Sequence, residues 1–354
     1  MKSFVEAREA VVATDADAAR NAREQHLQLT KPPGSLGALE DLGVQLAAIA
    51  GAVPPPVPEP VTIAVFAADH GVVAEGVTAW PQEVTAQMLA NFAAGGAAIN
   101  VLGRQVGADV VVVDVGVATD LESASPLILD RRIRKGTNNL AAAAAMTPEE
   151  TTAALDVGAA VAAEAIGRGA RMLVTGDMGI GNTTAATAVV AAMVNADPGD
   201  ITGPGAGAAE LTVVHKIDVI RRALRRLNTP ADPLTVLSEV GGLEIAALVG
   251  YITAGAAHRV PVLLDGLIAD AAALLATQLT PDVRGYLIAG HRSTEPAAKR
   301  ALEHLRLEPL IDLRLRLGEG SGAAIAVPIV QAAARILGEM ATFDSAGVSS
   351  KVES

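Results

Sequence analysis

Four short apolar runs recur along the chain: VTIAVFAAD, ADVVVVDVGV, ARMLVTGDMG and RVPVLLDG, each rich in β-branched residues and each ending in Asp or Gly. Ala-rich stretches of helical length separate them. Apolar runs without polar alternation suit strands covered on both faces, so the pattern predicts an α/β protein with a parallel sheet between helices. Ligands of such sheets bind at the carboxyl ends of the strands, where Asp69, Asp114, Asp177 and Asp265 lie. The first 50 residues read as helical instead, AREAVVATDADAARNAREQHLQL and ALEDLGVQLAAIAG, parted by KPPGSLG, which cannot continue a helix. A proline-rich linker, AVPPPVPEPV, then marks an expected boundary. Ala-rich helix returns from Ser321 to about Phe343. The expected organisation is therefore a smaller helical domain built from residues 1–59 and 320–354, beside a larger unit of residues 60–319 that carries the site.

Composition narrows the class. Apolar residues make up 51% of the 354 and aromatics only 2%, so the core has to be Ala, Val, Leu and Ile. The absence of cysteine excludes disulfides, thiolate metal sites and a cysteine nucleophile. A net charge of −12 argues against a general nucleic-acid binder, which needs a basic surface. The N-terminal residues contain acids and no continuous apolar core of signal-peptide type. The longest uncharged stretch, Met178 to Ala196, opens with Gly, Asn and Thr and reads as a buried helix starting at a site rather than as a membrane span. A cytoplasmic protein without membrane or nucleic-acid partners is expected.

The strongest local signal is LVTGDMGIGNTTAATAVVAAM, a strand, a glycine-rich turn and a helix opening near Asn182-Thr183-Thr184. Such a turn brings backbone close to a ligand, and a helix N-terminus offers free N–H groups to an anion; an Asn-capped βα turn is the plainer reading. Gly176 and Gly181 have P-loop spacing, but Asn182 stands where the phosphate lysine belongs, and the glycine order reverses the dinucleotide fingerprint. In VVVVDVGVATD, Val115 stands where enzymes using a pyrophosphorylated ribose carry the second acid of a pair. ITGPGAGAAELTVVHK, with Lys216, and GHRSTEP, with Ser293, each suit a phosphate or an ordinary loop. Three such turns at strand ends beside a lysine favour an anionic small ligand. DHGVVAEGVTAWPQEVTAQMLANF combines the only Trp with Gln87 and Met88 on a helix beginning near Pro81, a wall suited to an aromatic base. No histidine pair has metal-ligand spacing and no G-x-S-x-G elbow occurs, so neither a metal site nor a serine hydrolase is expected. Finally, RLGEGSGAAI holds one acid, Glu319, between two glycines just before an apolar run.

Taken in order, LTKPPGSLGALE, ADHGVVAEGVTAWPQEVTAQM, GGAAINVL, VVDVGV, GTNNLA, GDMGIGNTTAA, GGLEIAALVGY, VLLDG and RLGEGSGAA resemble the nicotinate-nucleotide–dimethylbenzimidazole phosphoribosyltransferase family nearly end to end. The resemblance implies a Rossmann-like α/β domain with a small helical domain from both chain ends, working as a homodimer without a cofactor or metal. It implies transfer of the 5-phosphoribosyl group of nicotinate mononucleotide to 5,6-dimethylbenzimidazole or a related base in cobalamin synthesis, with inversion at the anomeric carbon. Glu319 would be the general base. Gly179, Gly203, Gly205 and Ser293 would surround the phosphate or ribose, with Lys216, Asp177 and Asp265 near the nucleotide. Thr78, Gln87, Met88 and Leu317 would line the base pocket.

Three departures bear on base preference. Thr78-Ala79-Trp80 replaces a Ser-Ala-Tyr or Phe form, Asp177 replaces a glutamate, and Ala297-Ala298 replaces Gly-His. Two rival readings are a non-catalytic nucleotide- or benzimidazole-binding protein, disfavoured by the presence of Glu319, and a diphosphate-donor phosphoribosyltransferase, disfavoured by Val115.

Overall fold

The computed structural model describes residues 3–120, 125–205, 207, 209–228 and 232–349. The extreme ends of both terminal segments, and Ala206 and Ala208 of the ITGPGAGAAELT turn, lie outside the described residues.

The apolar runs form one parallel sheet of six strands, β1 (Val61–Ala68), β2 (Ala108–Gly116), β3 (Ile128–Asp130), β4 (Met172–Met178), β5 (Val262–Leu264) and β6 (Leu287–Ala289), in the order β3-β2-β1-β4-β5-β6. This is the doubly wound α/β architecture. β3 and β6 are only three residues each, and β3 carries no periodic pattern of its own; Ile128, Leu129 and Asp130 are strand because Val112–Asp114 offers a free edge to pair with.

Period-two alternation divides the sheet between two cores. Ala64, Phe66 and Ala68 of β1 face helices Pro148–Gly167 and Leu243–Ala257, with the Phe66 and Tyr251 rings edge-on and their centroids 5.4 Å apart. Val61, Ile63, Val65 and Ala67 face helices Glu83–Ala93, Ala98–Val106 and Ser321–Glu339. Alanine and glycine take the place that aromatics hold elsewhere, by letting backbones touch. A Cβ on Gly158 would lie 1.7 Å from the Ala247 carbonyl oxygen, and one on Gly250 would lie 1.9 Å from that of Leu155. The two helices therefore cross at near-backbone contact, which replaces side-chain bulk with close packing.

The N-terminal stretch is three helices. Phe4–Ala10 ends before Val11 and Val12, and Asp15 starts Ala16–Gln28 by accepting from the Ala18 N–H at 2.8 Å. Phe4 joins the core beside helix Pro148–Gly167, whereas Ala22, Val44 and Ala47, from Ala16–Gln28 and Ala38–Ala50, pack with Leu337 of the C-terminal helix. That C-terminal helix, Ser321–Glu339, is the one described helix long and apolar enough to cross a membrane. Here Ala323, Ala326, Val327 and Val330 are buried against the sheet. Its position also fixes the site, because it starts immediately after Gly320, the residue next to Glu319.

Candidate active site

The strand order reverses at β1, between β2 and β4, and the cleft opens at the carboxyl ends beside this point. Of the four strand-end acids, only Asp177 lines the cleft. Asp69 accepts from Thr85 Oγ1 at 2.6 Å and the Ala118 N–H at 2.8 Å, and Asp114 accepts from Arg132 Nε and Nη2 and the Val117 N–H. Asp177 lines the cleft, and Asp265 stands just behind it.

Glu319 sits in a run of three left-handed residues, Gly318 (φ 86°), Glu319 (φ 65°) and Gly320 (φ 88°). The glycines adopt this region freely, whereas the glutamate is strained there. Close packing holds it: the Glu319 N–H donates to the Asp177 carbonyl at 3.2 Å, and a Cβ on Gly176 would lie 2.7 Å from the Glu319 carbonyl oxygen. The residue is only 4% exposed. Burial pushes its carboxyl above the ordinary glutamate value, the Ile99 N–H at 3.3 Å pulls it back, and nearby Asp265 raises it; the net direction is up.

The donor to Glu319 is thus the first turn of helix Ala98–Val106, and not the helix that follows Glu319 in sequence. The free N–H groups at the start of Ser321–Glu339 go to Asp265 instead: Gly320 at 3.2 Å, Gly322 at 2.8 Å and Ala323 at 3.0 Å. Asp265 is a helix anchor one step behind the base, with His291 Nε2 3.5 Å away, and it does not line the cleft.

The cleft is a cavity of about 640 Å³. Its polar side comes from β4 and the next turn (Asp177, Gly179, Asn182, Thr183), from Gly205, and from the segment after β6 (His291, Ser293, Glu295). Gly179 presses on β1 so closely that a Cβ would lie 2.1 Å from the Ala68 carbonyl oxygen. An adjoining chamber of about 70 Å³ is lined by Thr78, Gly181, Thr184 and Lys216 among others. Lys216 is fully buried, its Nζ donating to Thr183 Oγ1 at 2.9 Å, with the Gly203 carbonyl at 3.5 Å. Burial lowers its pKa to about 8 against the opposing charge of Glu295. Asp177 moves the other way, pushed far up by burial, then by Asp265 and Glu244, with Asn182 Nδ2 donating to it at 2.9 Å.

The apolar side comes from Trp80, Val84 and Met88, from Leu267 and Ile268, and from Leu315 and Leu317. Val84 and Met88 share one face of helix Glu83–Ala93 at i,i+4, which leaves Gln87 exposed outside the cavity lining. Thr78 lines the small chamber, where its Oγ1 accepts from the Trp80 N–H at 3.2 Å. Gly203 lines neither space but stands behind Gly205, against Glu295. So nine of the twelve residues implied by the resemblance line one of the two adjoining spaces, and Asp265, Gly203 and Gln87 do not.

Glu295, Arg314 and Arg316 also line the cleft without having been singled out from sequence. Arg316 Nη1 donates to the Gly205 carbonyl at 3.0 Å. The alternation in LRLRLGEG, basic and apolar by turns, was the available signal for the two arginines. Among the described residues no group of three or more His, Asp or Glu has the disposition of a metal site.

Comparison with known proteins identifies the family. Residues 11–348 match a family model described as Phosphoribosyltransferase. A protein of Salinispora tropica named nicotinate-nucleotide–dimethylbenzimidazole phosphoribosyltransferase is 54% identical over 351 residues, covering 95% of this chain and 96% of its own. A protein of the same name from Chloroflexus aurantiacus is 52% identical over 339 residues, covering 96% of each chain. The chain belongs to the nicotinate-nucleotide–dimethylbenzimidazole phosphoribosyltransferase family. The crystal structure of a Thermus thermophilus protein of that name superposes with a TM-score of 0.91 at 48% identity, covering 95% of this chain and all of that one. The family assignment makes the chain a pentosyltransferase, and a cleft with one apolar and one polar, partly basic wall is suited to an aromatic base facing a phosphorylated sugar.

Proposed function

We propose that this chain transfers the 5-phosphoribosyl group of nicotinate mononucleotide to 5,6-dimethylbenzimidazole or a related base in cobalamin synthesis, with Glu319 as general base. The observation that carries the reading is Glu319 itself, a buried carboxylate held in the cleft lining by a run of positive-φ residues.

In this mechanism Glu319 removes the imidazole N–H proton of the base. A ring nitrogen then forms a bond to the anomeric carbon as the bond to the pyridinium nitrogen breaks. The bonding pair returns to that nitrogen, so nicotinate leaves without being protonated, and α-ribazole 5′-phosphate forms with inversion. One proton acceptor therefore suffices. Asp177, whose carboxyl burial pushes well above the ordinary value, accepts from Asn182 Nδ2 beside Glu319 and can orient the bound nucleotide. Lys216, Thr183 and the backbone of Gly179 and Gly205 suit the phosphate, and positioning supplies much of the remaining acceleration. The same reading places the enzyme in the cytoplasm as a homodimer; sedimentation velocity tests the dimer.

The direct experiment incubates the protein with nicotinate mononucleotide and dimethylbenzimidazole and resolves the products by chromatography. Nicotinate and α-ribazole 5′-phosphate in equal amounts are expected. Absence of product with every benzimidazole tested overturns the reading, and binding of both substrates without turnover replaces it with a carrier role.

A further inference from the structure

We infer that Glu295 is the positioning residue that sets the Gly203–Gly205 turn for the phosphoribosyl substrate. The inference deepens the reading above and rests on it. Glu295 lies between β6 and helix Pro296–Leu305, is 4% exposed, and lines the cleft. A carboxylate on the polar wall facing a phosphate is costly unless it is used, because it repels the ligand and loses its own hydration.

Both of its oxygens are applied to the same turn. Oε1 accepts the Gly205 N–H at 2.9 Å. Oε2 has no hydrogen-bond partner and lies against Gly203, where a Cβ would meet it well inside contact distance. Gly205 is left-handed (φ 57°), and its carbonyl is held from the other side by Arg316 Nη1 at 3.0 Å. The Gly203 carbonyl faces Lys216 Nζ at 3.5 Å. The turn is thus fixed by one acid and two bases, and Glu295 is the side chain that holds the Gly205 N–H. Its own N–H donates to Ser293 Oγ at 3.3 Å, a bond within the segment after β6 that helps orient Glu295. Glu295 therefore acts through Gly205 and Lys216, rather than on the reacting atoms.

Steady-state kinetics of Glu295→Ala, Glu295→Gln and Gly203→Ala test this, alongside calorimetric titration with inorganic phosphate. Loss of a charged acceptor from a buried N–H predicts a rise of about 10- to 100-fold in KM for nicotinate mononucleotide in Glu295→Ala. Its kcat and its KM for the base are expected within about threefold of wild type by the same accounting. Glu295→Gln keeps an acceptor for the Gly205 N–H and is expected to recover most of the KM. Gly203→Ala is expected to raise the nucleotide KM in the wild-type background and to raise it by a smaller factor in Glu295→Ala, where the carboxylate is gone and Pro296 Cδ still meets the added Cβ. Wild-type nucleotide KM in Glu295→Ala, or a Gln variant as impaired as the Ala variant, overturns the inference. Should the wild-type protein prove inactive, the phosphate titration still decides it: weaker phosphate binding in Glu295→Ala, restored in Glu295→Gln, is required, and unchanged binding overturns it.

Discussion

Removing the Asp265 carboxylate separates two roles that a strand-end acid in this family can have. In the structure it accepts three backbone N–H groups at the start of helix Ser321–Glu339, at 2.8–3.2 Å, and lines neither cavity. Asp265→Ala strands at least two buried donors, at about 1–3 kcal/mol each, and leaves His291 without its carboxylate, so a destabilisation of about 3–5 kcal/mol is expected. Asp265→Asn retains the acceptor oxygen that faces Gly322, Ala323 and His291 but turns an NH₂ toward the Gly320 N–H, for about 1–2 kcal/mol. Gly320 adjoins Glu319, so the helix start and the base move together. A displacement of the order of 1 Å costs about 10²-fold in rate. Urea unfolding measures the stability, and steady-state kinetics measure kcat and the KM for nicotinate mononucleotide. The expected pattern is lower stability and lower kcat with nucleotide KM within about threefold of wild type. A variant with wild-type unfolding, or one whose nucleotide KM rises as much as kcat falls, refutes the anchor role and makes Asp265 a nucleotide ligand.

Other expectations follow from single groups. Because Lys216 loses its proton near pH 8, calorimetric affinity for nicotinate mononucleotide should weaken as pH rises through that value; Lys216→Met should bind weakly and lose that dependence. Asp270 is buried with neither carboxyl oxygen partnered, and burial followed by Asp265 raises its pKa strongly. A raised carboxyl pKa means the folded state holds the proton longer, so stability falls as pH climbs above the unfolded value of about 4. Asp270→Asn should therefore gain on wild type by up to about 1.4 kcal/mol per pH unit across that window, read by unfolding at several pH values. A constant or declining difference contradicts the assignment. Gly179→Ala drives a methyl into the Ala68 carbonyl and should abolish turnover with a lowered thermal midpoint; wild-type melting and activity would show that the β1–β4 contact is loose.

The sheet was largely legible because strands buried on both faces announce themselves as unbroken β-branched runs, and β1, β2 and β4 fall where those runs lie. β3 was not, since three residues have no period and pair only because β2 presents an edge. Glu319 stood out because glycines on both sides of an acid are a local signal. The N–H it receives comes from Ile99, 220 residues away, and no local pattern reveals a contact of that separation. For the same reason Asp265 read as a strand-end acid like Asp177, although one points at a helix start and the other lines the cleft. Gln87 and Met88 are neighbours in sequence, and only the helix phase tells which faces the cavity. Glu295 was passed over because its flanking Ser, Thr and Pro suggested a phosphate loop, in which an acid looks out of place.

Turnover of wild type and Glu319→Gln with nicotinate mononucleotide and dimethylbenzimidazole, measured together with nucleotide binding by calorimetry, decides whether Glu319 is the base. Glutamine keeps the size of the side chain and an acceptor for the Ile99 N–H but cannot take the proton. A kcat lower by about 10²- to 10⁴-fold with nucleotide affinity nearly unchanged is expected. Turnover within a fewfold of wild type would contradict it and remove Glu319 from the chemistry.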